Sequence, residues 1–344
     1  MQKYLSYDEI HGQHESLGRT LDYILENKNK IADFFSGAGD IVFVACGSSY
    51  WMSLSAHKSM KLKTGKRSYA VKAAEVILCP EEFTGLYDNP VFVCPSRSGK
   101  TKEVLDAIDA LRGMYPGSRV FSVIEYLENE LGAKSDMVLN INWAAEQAVC
   151  QTRSFSNLYL CFISIAALLG GDDAFIANLR EYIKNAPSLY AKHEAVVRGL
   201  ADASKVKSLV TLGSGLQYGT AVQGAYIVIE VAQFNANYFQ LLEYRHGPIV
   251  TATAETAVFM CTGACGQNER KIAGEARAAG AKVYAVAPGE LDWADYTFAM
   301  GGCYAKEIIG LHFTFVMQSF AYYFALSHGR NPDKPGDLVQ FIIY

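Results

Sequence analysis

Short apolar runs of four or five residues alternate along this chain with longer stretches whose apolar positions recur near every 3.6 residues. The first such stretch covers residues 8–35, where Ile10, Leu17, Leu21, Ile24, Leu25 and Ile31 fall on one helical face. Residues 41–45, 91–94, 120–124 and 137–141 then read as strands, each bounded by Gly, Ser or Pro. Helical segments follow the first two, the second at 101–114, and a helix over 153–169 closes this half. Strand alternating with helix predicts a parallel sheet covered on both faces.

The second half repeats the plan. Strands are predicted at 209–212, 258–261, 283–286 and 296–299. Val91-Phe92-Val93-Cys94 matches Val258-Phe259-Met260-Cys261 at an offset of roughly 165 residues, the mark of a duplicated domain. The expected fold is therefore α/β, two tandem doubly wound parallel-sheet (flavodoxin-like) domains. Its expected parts are an N-terminal helical segment 1–36, a first domain 37–172, linking helices 173–204, a second domain 205–330 and a tail 331–344. The longest apolar stretch, 308–326, approaches membrane length. It contains His312 and Gln318 and ends a soluble pattern, so a buried helix is expected and no membrane partner.

Half of the 344 residues are hydrophobic, enough for a large core, and the formal net charge of −4 offers no basic footprint for nucleic acid. The eight cysteines are scattered, mostly in apolar runs, which reads as reduced thiols in a cytoplasmic protein. Cys261 and Cys265 could ligate a metal, but no second Cys/His pair with zinc spacing accompanies them, so no metal is expected. The N-terminus has Lys3, Asp8 and Glu9 and no apolar signal-peptide core.

Ligands of open parallel sheets bind at the carboxyl ends of strands. Two polar loops fall there: Cys46-Gly47-Ser48-Ser49 and Ser96-Arg97-Ser98-Gly99-Lys100-Thr101. Hydroxyls there can donate to phosphate oxygens, glycine permits close approach, and the following helix supplies free N–H groups. Each loop can equally be an ordinary helix cap. No GxxxxGK[ST] occurs, nor GxGxxG after a strand, so nucleotide folds lose support. A third polar run, Glu146–Arg153, follows the last strand of the first half, and its Val149 and Gln151 join the candidate substrate contacts. The fourth stretch runs from Glu230 to Pro248. Glu230 lies in the apolar helix Ala225–Ala232, where a carboxylate is costly to bury unless paired or functional. His246, before Gly247-Pro248, must sit in a turn.

Together these residues resemble the sugar-isomerase (SIS) domains of glucosamine-6-phosphate synthase and, more closely, the stand-alone fructosamine-6-phosphate deglycases. Those relatives hold a sugar phosphate with a Cys-Gly-(Ser/Thr)-Ser loop and a Ser-x-Ser-Gly-x-Thr loop. Their catalytic Glu is followed sixteen residues later by a His in (Lys/Arg)-His-Gly-Pro, the spacing of Glu230 and His246 in Arg245-His246-Gly247-Pro248. Glu9-Ile10…Gln13 and Asn331-Pro332-Asp333 are also similar to the family's first helix and the deglycases' tail. Departures are informative. The synthase's amide-handling domain has no room here, so the chain is expected not to draw ammonia from glutamine. Gln340 and Ile227 stand where the synthase has lysines, and Arg97 and Lys100 where it has Gln and Glu.

The resemblance implies an enzyme without cofactor, acting as a homodimer in which His246 reaches the partner's site. It would cleave a 6-phosphorylated ketosamine through an enol-type intermediate. Glu230 would be the base, its pKa raised by apolar surroundings, and His246 the acid. Ser48, Ser49, Ser96, Ser98 and Thr101 would fix the phosphate. Arg97, Lys100 and Arg153 hint at a further anionic group on the substrate. The same pair could serve an aldose–ketose isomerase or an amino-sugar-phosphate deaminase. A non-catalytic sugar-phosphate sensor is a different class. Such proteins carry a helix-turn-helix domain ahead of this one, and only about 40 residues precede the first strand here.

Overall fold

A computed structural model describes residues 3–202, 204–263 and 266–340. Cys265, one of the two candidate metal-ligating cysteines, lies outside the described residues.

The N-terminal periodic stretch forms three helices rather than one: α1 (Leu5–His11), α2 (Gln13–Glu26) and α3 (Lys28–Phe35). Gly12 separates the first two, in a position where a Cβ would lie 2.8 Å from the Asp8 carbonyl oxygen. Five parallel strands follow: β1 (Asp40–Ala45), β2 (Arg67–Lys72), β3 (Val91–Ser96), β4 (Arg119–Ile124) and β5 (Met137–Asn140). They are ordered β2-β1-β3-β4-β5. Between them run α4 (Gly47–Thr64), α5 (Ala73–Leu78) and α6 (Lys102–Met114). The helix α7 (Arg153–Gly170) packs on α4. Next, α8 (Asp173–Leu200) contains Pro187, which removes one backbone donor from the helix interior.

The second sheet holds β6 (Ser208–Gly213), β7 (Ala236–Gln240), β8 (Thr256–Cys261), β9 (Lys282–Ala287) and β10 (Tyr296–Ala299). Its order β10-β9-β8-β6-β7 is, read from the other edge, the order of the first sheet. Its helices are α9 (Tyr218–Ala232), α10 (Gln267–Ala278) and α11 (Lys306–Ser327). Both sheets thus reverse strand order between their first and third strands, β1/β3 and β6/β8.

Central strands β1, β3 and β8 are buried along their whole length, which is why their sequences are apolar at all but their end residues. Edge strands β2 and β7 escaped the pattern because they are half solvated: Arg67, Lys72, Asn237 and Gln240 interrupt them. Tertiary contacts hold β2 instead. Arg67 donates to both carboxylate oxygens of the fully buried Asp40 at 2.6 and 3.0 Å, and the Asp88 N–H donates to the same group at 2.8 Å. Among the described residues two helices, α7 and α11, are long and apolar enough to span a membrane. Their apolar windows are 78% and 100% buried against protein, and α11 is the buried helix expected at 308–326.

The compact units cut across the linear division expected from the sequence. One comprises Glu15–Glu146, Arg153–Ala177 and Val339–Tyr344, and carries the first sheet. The other comprises Met1–His14, Gln147–Thr152 and Asn178–Leu338, and carries the second. So α1 and the loop 147–152 belong with the second sheet, and Gln340 with the first.

Candidate functional site

In the first unit, the loops after β1 and β3 meet the sheet where its strand order reverses. Cys46 is the extended residue before α4, and Gly47 adopts φ +53°, which disfavours a side chain. Burial raises the Cys46 thiol to about 11, so it stays protonated at neutral pH. Ser48 and Ser49 open the first turn of α4 and are buried. In the second loop Ser96 and Ser98 are buried. The Ser96 hydroxyl accepts from the Gly99 N–H at 2.9 Å and the Ser98 hydroxyl from the Lys100 N–H at 3.1 Å. Gly99, at φ +63°, is crowded as well: a Cβ there would lie 2.7 Å from that of Asn129. The Gly99 carbonyl accepts from the Glu130 and Leu131 N–H groups, and Thr101 is the extended residue before α6. The loop is therefore stapled to the segment after β4, with several hydroxyls held in place and their protons left to donate.

Arg97 and Arg153 turn inward rather than toward a ligand. Arg97 is 4% exposed; its guanidinium lies 3.8 Å from Glu146 and donates to the Gln340 carbonyl at 2.7 Å. Gln340 also accepts, through its side chain, from the Tyr126 hydroxyl at 2.9 Å. Arg153 donates to the Ala144 and Ala145 carbonyls. The hint of an extra anionic group thus keeps only half-buried Lys100. Behind Arg97 lies Glu125, wholly buried and accepting from the Ser154 hydroxyl at 2.6 Å. Burial, and then the neighbouring Glu146, push the Glu125 carboxyl up to about 8. Nothing local in the sequence marks Glu125, because its partners come from elements far along the chain.

In the second unit, Glu230 occupies the last turn of α9 and is half-buried rather than enclosed in its apolar helix. That is the negative end of the helix dipole, an unusual place for a carboxylate. Arg330 caps the end by donating to the Ala232 carbonyl. Tyr226, one turn earlier, has its hydroxyl pKa raised by burial and then by Glu230, Tyr238 and the Cys150 thiol. The loop 147–152 is thus a neighbour of this face of α9.

That loop is held from three sides within the unit. The buried Glu9 carboxylate of α1 accepts from the Gln147 N–H at 2.6 Å and the Ala148 N–H at 3.4 Å. The Asp333 carbonyl accepts from the Val149 N–H at 3.0 Å. Asp333's carboxylate in turn takes the Leu5 and Ser6 N–H groups, each at 2.8 Å, and the Ser6 hydroxyl. Gln318 of α11 donates to the Thr152 carbonyl at 2.7 Å. Val149 and Gln151 are presented by this clamp, and sequence reasoning did not see it.

His246 sits between two short 3₁₀ turns, in the turn conformation expected of it, and is exposed. Its neighbours anchor the turn: Tyr244 is fully buried, and Arg245 donates to Glu275 at 2.6 Å.

No family model matches the chain. Among curated proteins it is 27% identical to the glutamine–fructose-6-phosphate aminotransferase (isomerizing) of Aeropyrum pernix, over 97% of this chain and 56% of that one. The Sulfolobus acidocaldarius enzyme of the same name gives 26% over 97% and 55%. The chain therefore spans little more than half the length of these relatives. Among solved structures, glucosamine-6-phosphate deaminase from Thermotoga maritima superposes with a TM-score of 0.79 at 26% identity, covering 94% of this chain and 99% of that one. Tagatose-6-phosphate ketose/aldose isomerase from Escherichia coli gives a TM-score of 0.86 over 98% and 96%, and at 19% identity speaks for the fold alone. With two five-stranded parallel sheets of one strand order, the chain is similar along almost its whole length to part of those aminotransferases and to a sugar-phosphate deaminase, which supports a double-SIS phosphosugar isomerase family.

Proposed function

We propose that the chain is a phosphosugar enzyme that removes an amine from a 6-phosphorylated ketosamine of the fructosamine 6-phosphate type. The observation that carries this reading is Glu230: a half-buried carboxylate on an otherwise apolar helix, beside a loop held in place by three separate elements. In this reading Ser48, Ser49, Ser96, Ser98 and Thr101 take the phosphate, so that binding at the non-reacting end aligns the reacting carbons. Glu230 removes a proton from C1, next to the C2 carbonyl. The resulting enol-type intermediate is reprotonated at C2, giving an aldimine, and water then releases the amine and an aldose 6-phosphate. His246 moves the proton on oxygen or nitrogen. Because His246 is exposed on its turn, the reading has it serve the substrate of a second copy of the chain in a homodimer.

A second reading is favoured by the likeness to the Thermotoga maritima deaminase. There the amine would leave from C2 of an aminosugar phosphate. Proton transfer from C2 to C1 gives a ketimine, which water hydrolyses to a ketose phosphate and ammonia. Gln340, held by Arg97 and Tyr126, supplies no amino group at the position where the synthase resemblance would have a lysine.

The test is incubation with 6-phosphorylated Amadori compounds of several amino acids and, separately, with glucosamine 6-phosphate, the products being resolved by mass spectrometry. An aldose 6-phosphate and free amine from a ketosamine are expected. Fructose 6-phosphate and ammonia from glucosamine 6-phosphate alone would select the second reading. Glu230→Gln should lower turnover by roughly 10²–10⁴-fold while the rise in melting temperature induced by a sugar phosphate survives. Full activity in that variant removes Glu230 from the mechanism.

A further inference from the structure

The duplication leaves a second strand-order reversal, between β6 and β8, that the proposed function does not use. A cavity of about 340 Å³ lies there, at the carboxyl ends of the strands. Open α/β sheets bind ligands at such points. Its walls come from the loop after β6 (Ser214 and Gln217), Gly263 and Gly266 after β8, the start of α10 (Gln267 and Asn268) and Lys306 at the start of α11.

The cavity depends on Gly263. A Cβ there would lie 2.4 Å from the Gln217 side-chain oxygen and 3.1 Å from Cδ of Lys306. Gln217 is itself 3% exposed and fixed by donating to the Thr262 carbonyl at 3.1 Å. Lys306 and Arg153 are corresponding residues, the first of the closing helix in each half, yet they differ in use. Arg153 is committed to backbone carbonyls, whereas among the described residues no carboxylate pairs with Lys306. The cavity wall also carries Glu269, whose oxygens accept from the Gly263 and Gly266 N–H groups at 3.0 and 2.8 Å. Those N–H groups are therefore taken, and Lys306 is the one cationic donor among the lining residues. A carboxylate fixed in this way can still accept from a ligand hydroxyl, as can the side-chain oxygens of Ser214, Gln267 and Asn268.

We propose that this crevice is a second ligand site, taking a small polyhydroxylated monoester of phosphate, a sugar phosphate, with the phosphate on Lys306 and the hydroxyls on Ser214, Gln267, Asn268 and Glu269. The site is separate from the loops that hold substrate phosphate in the proposed function, so each chain has two places for a sugar phosphate.

The experiment is calorimetric titration of the full chain with fructose 6-phosphate, fructose and inorganic phosphate. Two fructose 6-phosphate molecules should bind per wild-type chain. Fructose and inorganic phosphate should compete poorly for the second site, since each satisfies only one side of it. Lys306→Gln should weaken that site by roughly 10–100-fold, the range for losing a hydrogen bond to a charged group, and leave the other untouched. Gly263→Ala sets a methyl against the Gln217 and Lys306 side chains and should act likewise; should it fail to fold, Lys306→Gln decides alone. A Ser96→Ala/Ser98→Ala/Thr101→Ala variant should keep one molecule per chain, lost when Lys306→Gln is added. One molecule per wild-type chain and none on that triple variant would overturn the inference while sparing the proposed function. Two molecules per chain that Lys306→Gln leaves unaltered would overturn it as well. A wild-type chain that turns over none of the tested substrates while its Lys306-dependent site binds would count against the proposed function alone.

Discussion

Glu125 is a carboxylate whose ionisation departs far from the ordinary. Its carboxyl is raised from 4.5 to about 8 by burial and by Glu146, partly opposed by the Ser154 hydroxyl, Arg97 and Arg153. The folded protein therefore holds a proton that the unfolded chain has given up. This contribution to stability is full below the unfolded pKa and is lost as pH rises toward the folded value. Between about pH 4.5 and 8 it should decline by up to about 1.4 kcal/mol per pH unit. Glu125→Gln, which keeps the hydrogen bond from Ser154 and cannot ionise, should flatten that limb in urea unfolding measured at each pH. A limb as steep as in wild type would show that Glu125 is ionised in the folded protein. An opposite limb comes from the second unit. His193 and His312 face each other at 2.8 Å between α8 and α11, with Tyr182 3.3 Å from His312. Burial lowers His193 to about 4, and His312 in the same direction. Their contribution is present above the ordinary histidine pKa and is lost as pH falls below it.

At the scale of the element, the loop 147–152 shows how a segment far from α1 in sequence comes to depend on it. Glu9 supplies one carboxylate to two of its N–H groups, and Asp333 supplies a carbonyl to a third. Removing the Glu9 acceptor takes a partner from the buried Ala148 N–H and the part-buried Gln147 N–H, at about 1–3 kcal/mol. Glu9→Ala should therefore speed amide hydrogen exchange at Gln147 and Ala148 and, if the loop contacts substrate, raise KM more than it lowers kcat. Glu9→Gln retains a carbonyl oxygen for the same donors and should restore most of both. Unchanged exchange at these amides in Glu9→Ala would show that the clamp does not order the loop. A similar lesson holds for β2, whose polar edge pattern hid it and whose place is secured by Arg67 on Asp40. Where one face of a strand is solvated and its residues are charged, periodicity carries little signal, and the pairing partner decides.

At the scale of the whole molecule, the proposal that two copies share their active sites has a direct test. Glu230→Gln and His246→Asn, each inactive alone, are mixed and allowed to exchange subunits. If His246 serves the other copy's substrate, each heterodimer has one site with both defects and one with neither. Activity should then recover toward about a quarter of wild type in a symmetric dimer. No recovery despite exchange demonstrated by mass spectrometry would place both residues in the site of one chain.

Much of the architecture was legible in the amino-acid order alone. The buried strands β1, β3, β4, β6, β8 and β9 are mostly apolar runs, and the offset between the two sets exposes the duplication. The Ser-rich loops, Glu230 and the His246 turn were also readable, because residue type and spacing along a few turns of chain mark them. What the order of residues left open was every choice that depends on partners distant in sequence. Arg97 and Arg153 are cations that suited a ligand equally well; only the fold turns them onto Glu146, Gln340 and backbone carbonyls. The N-terminal helix and the loop 147–152 leave their sequence neighbours for the opposite unit, because N–H and carboxylate groups there must find partners and those partners lie in it. Local pattern sets which elements form. Satisfaction of buried polar groups, a property of the folded chain, decides which side chains remain available for chemistry.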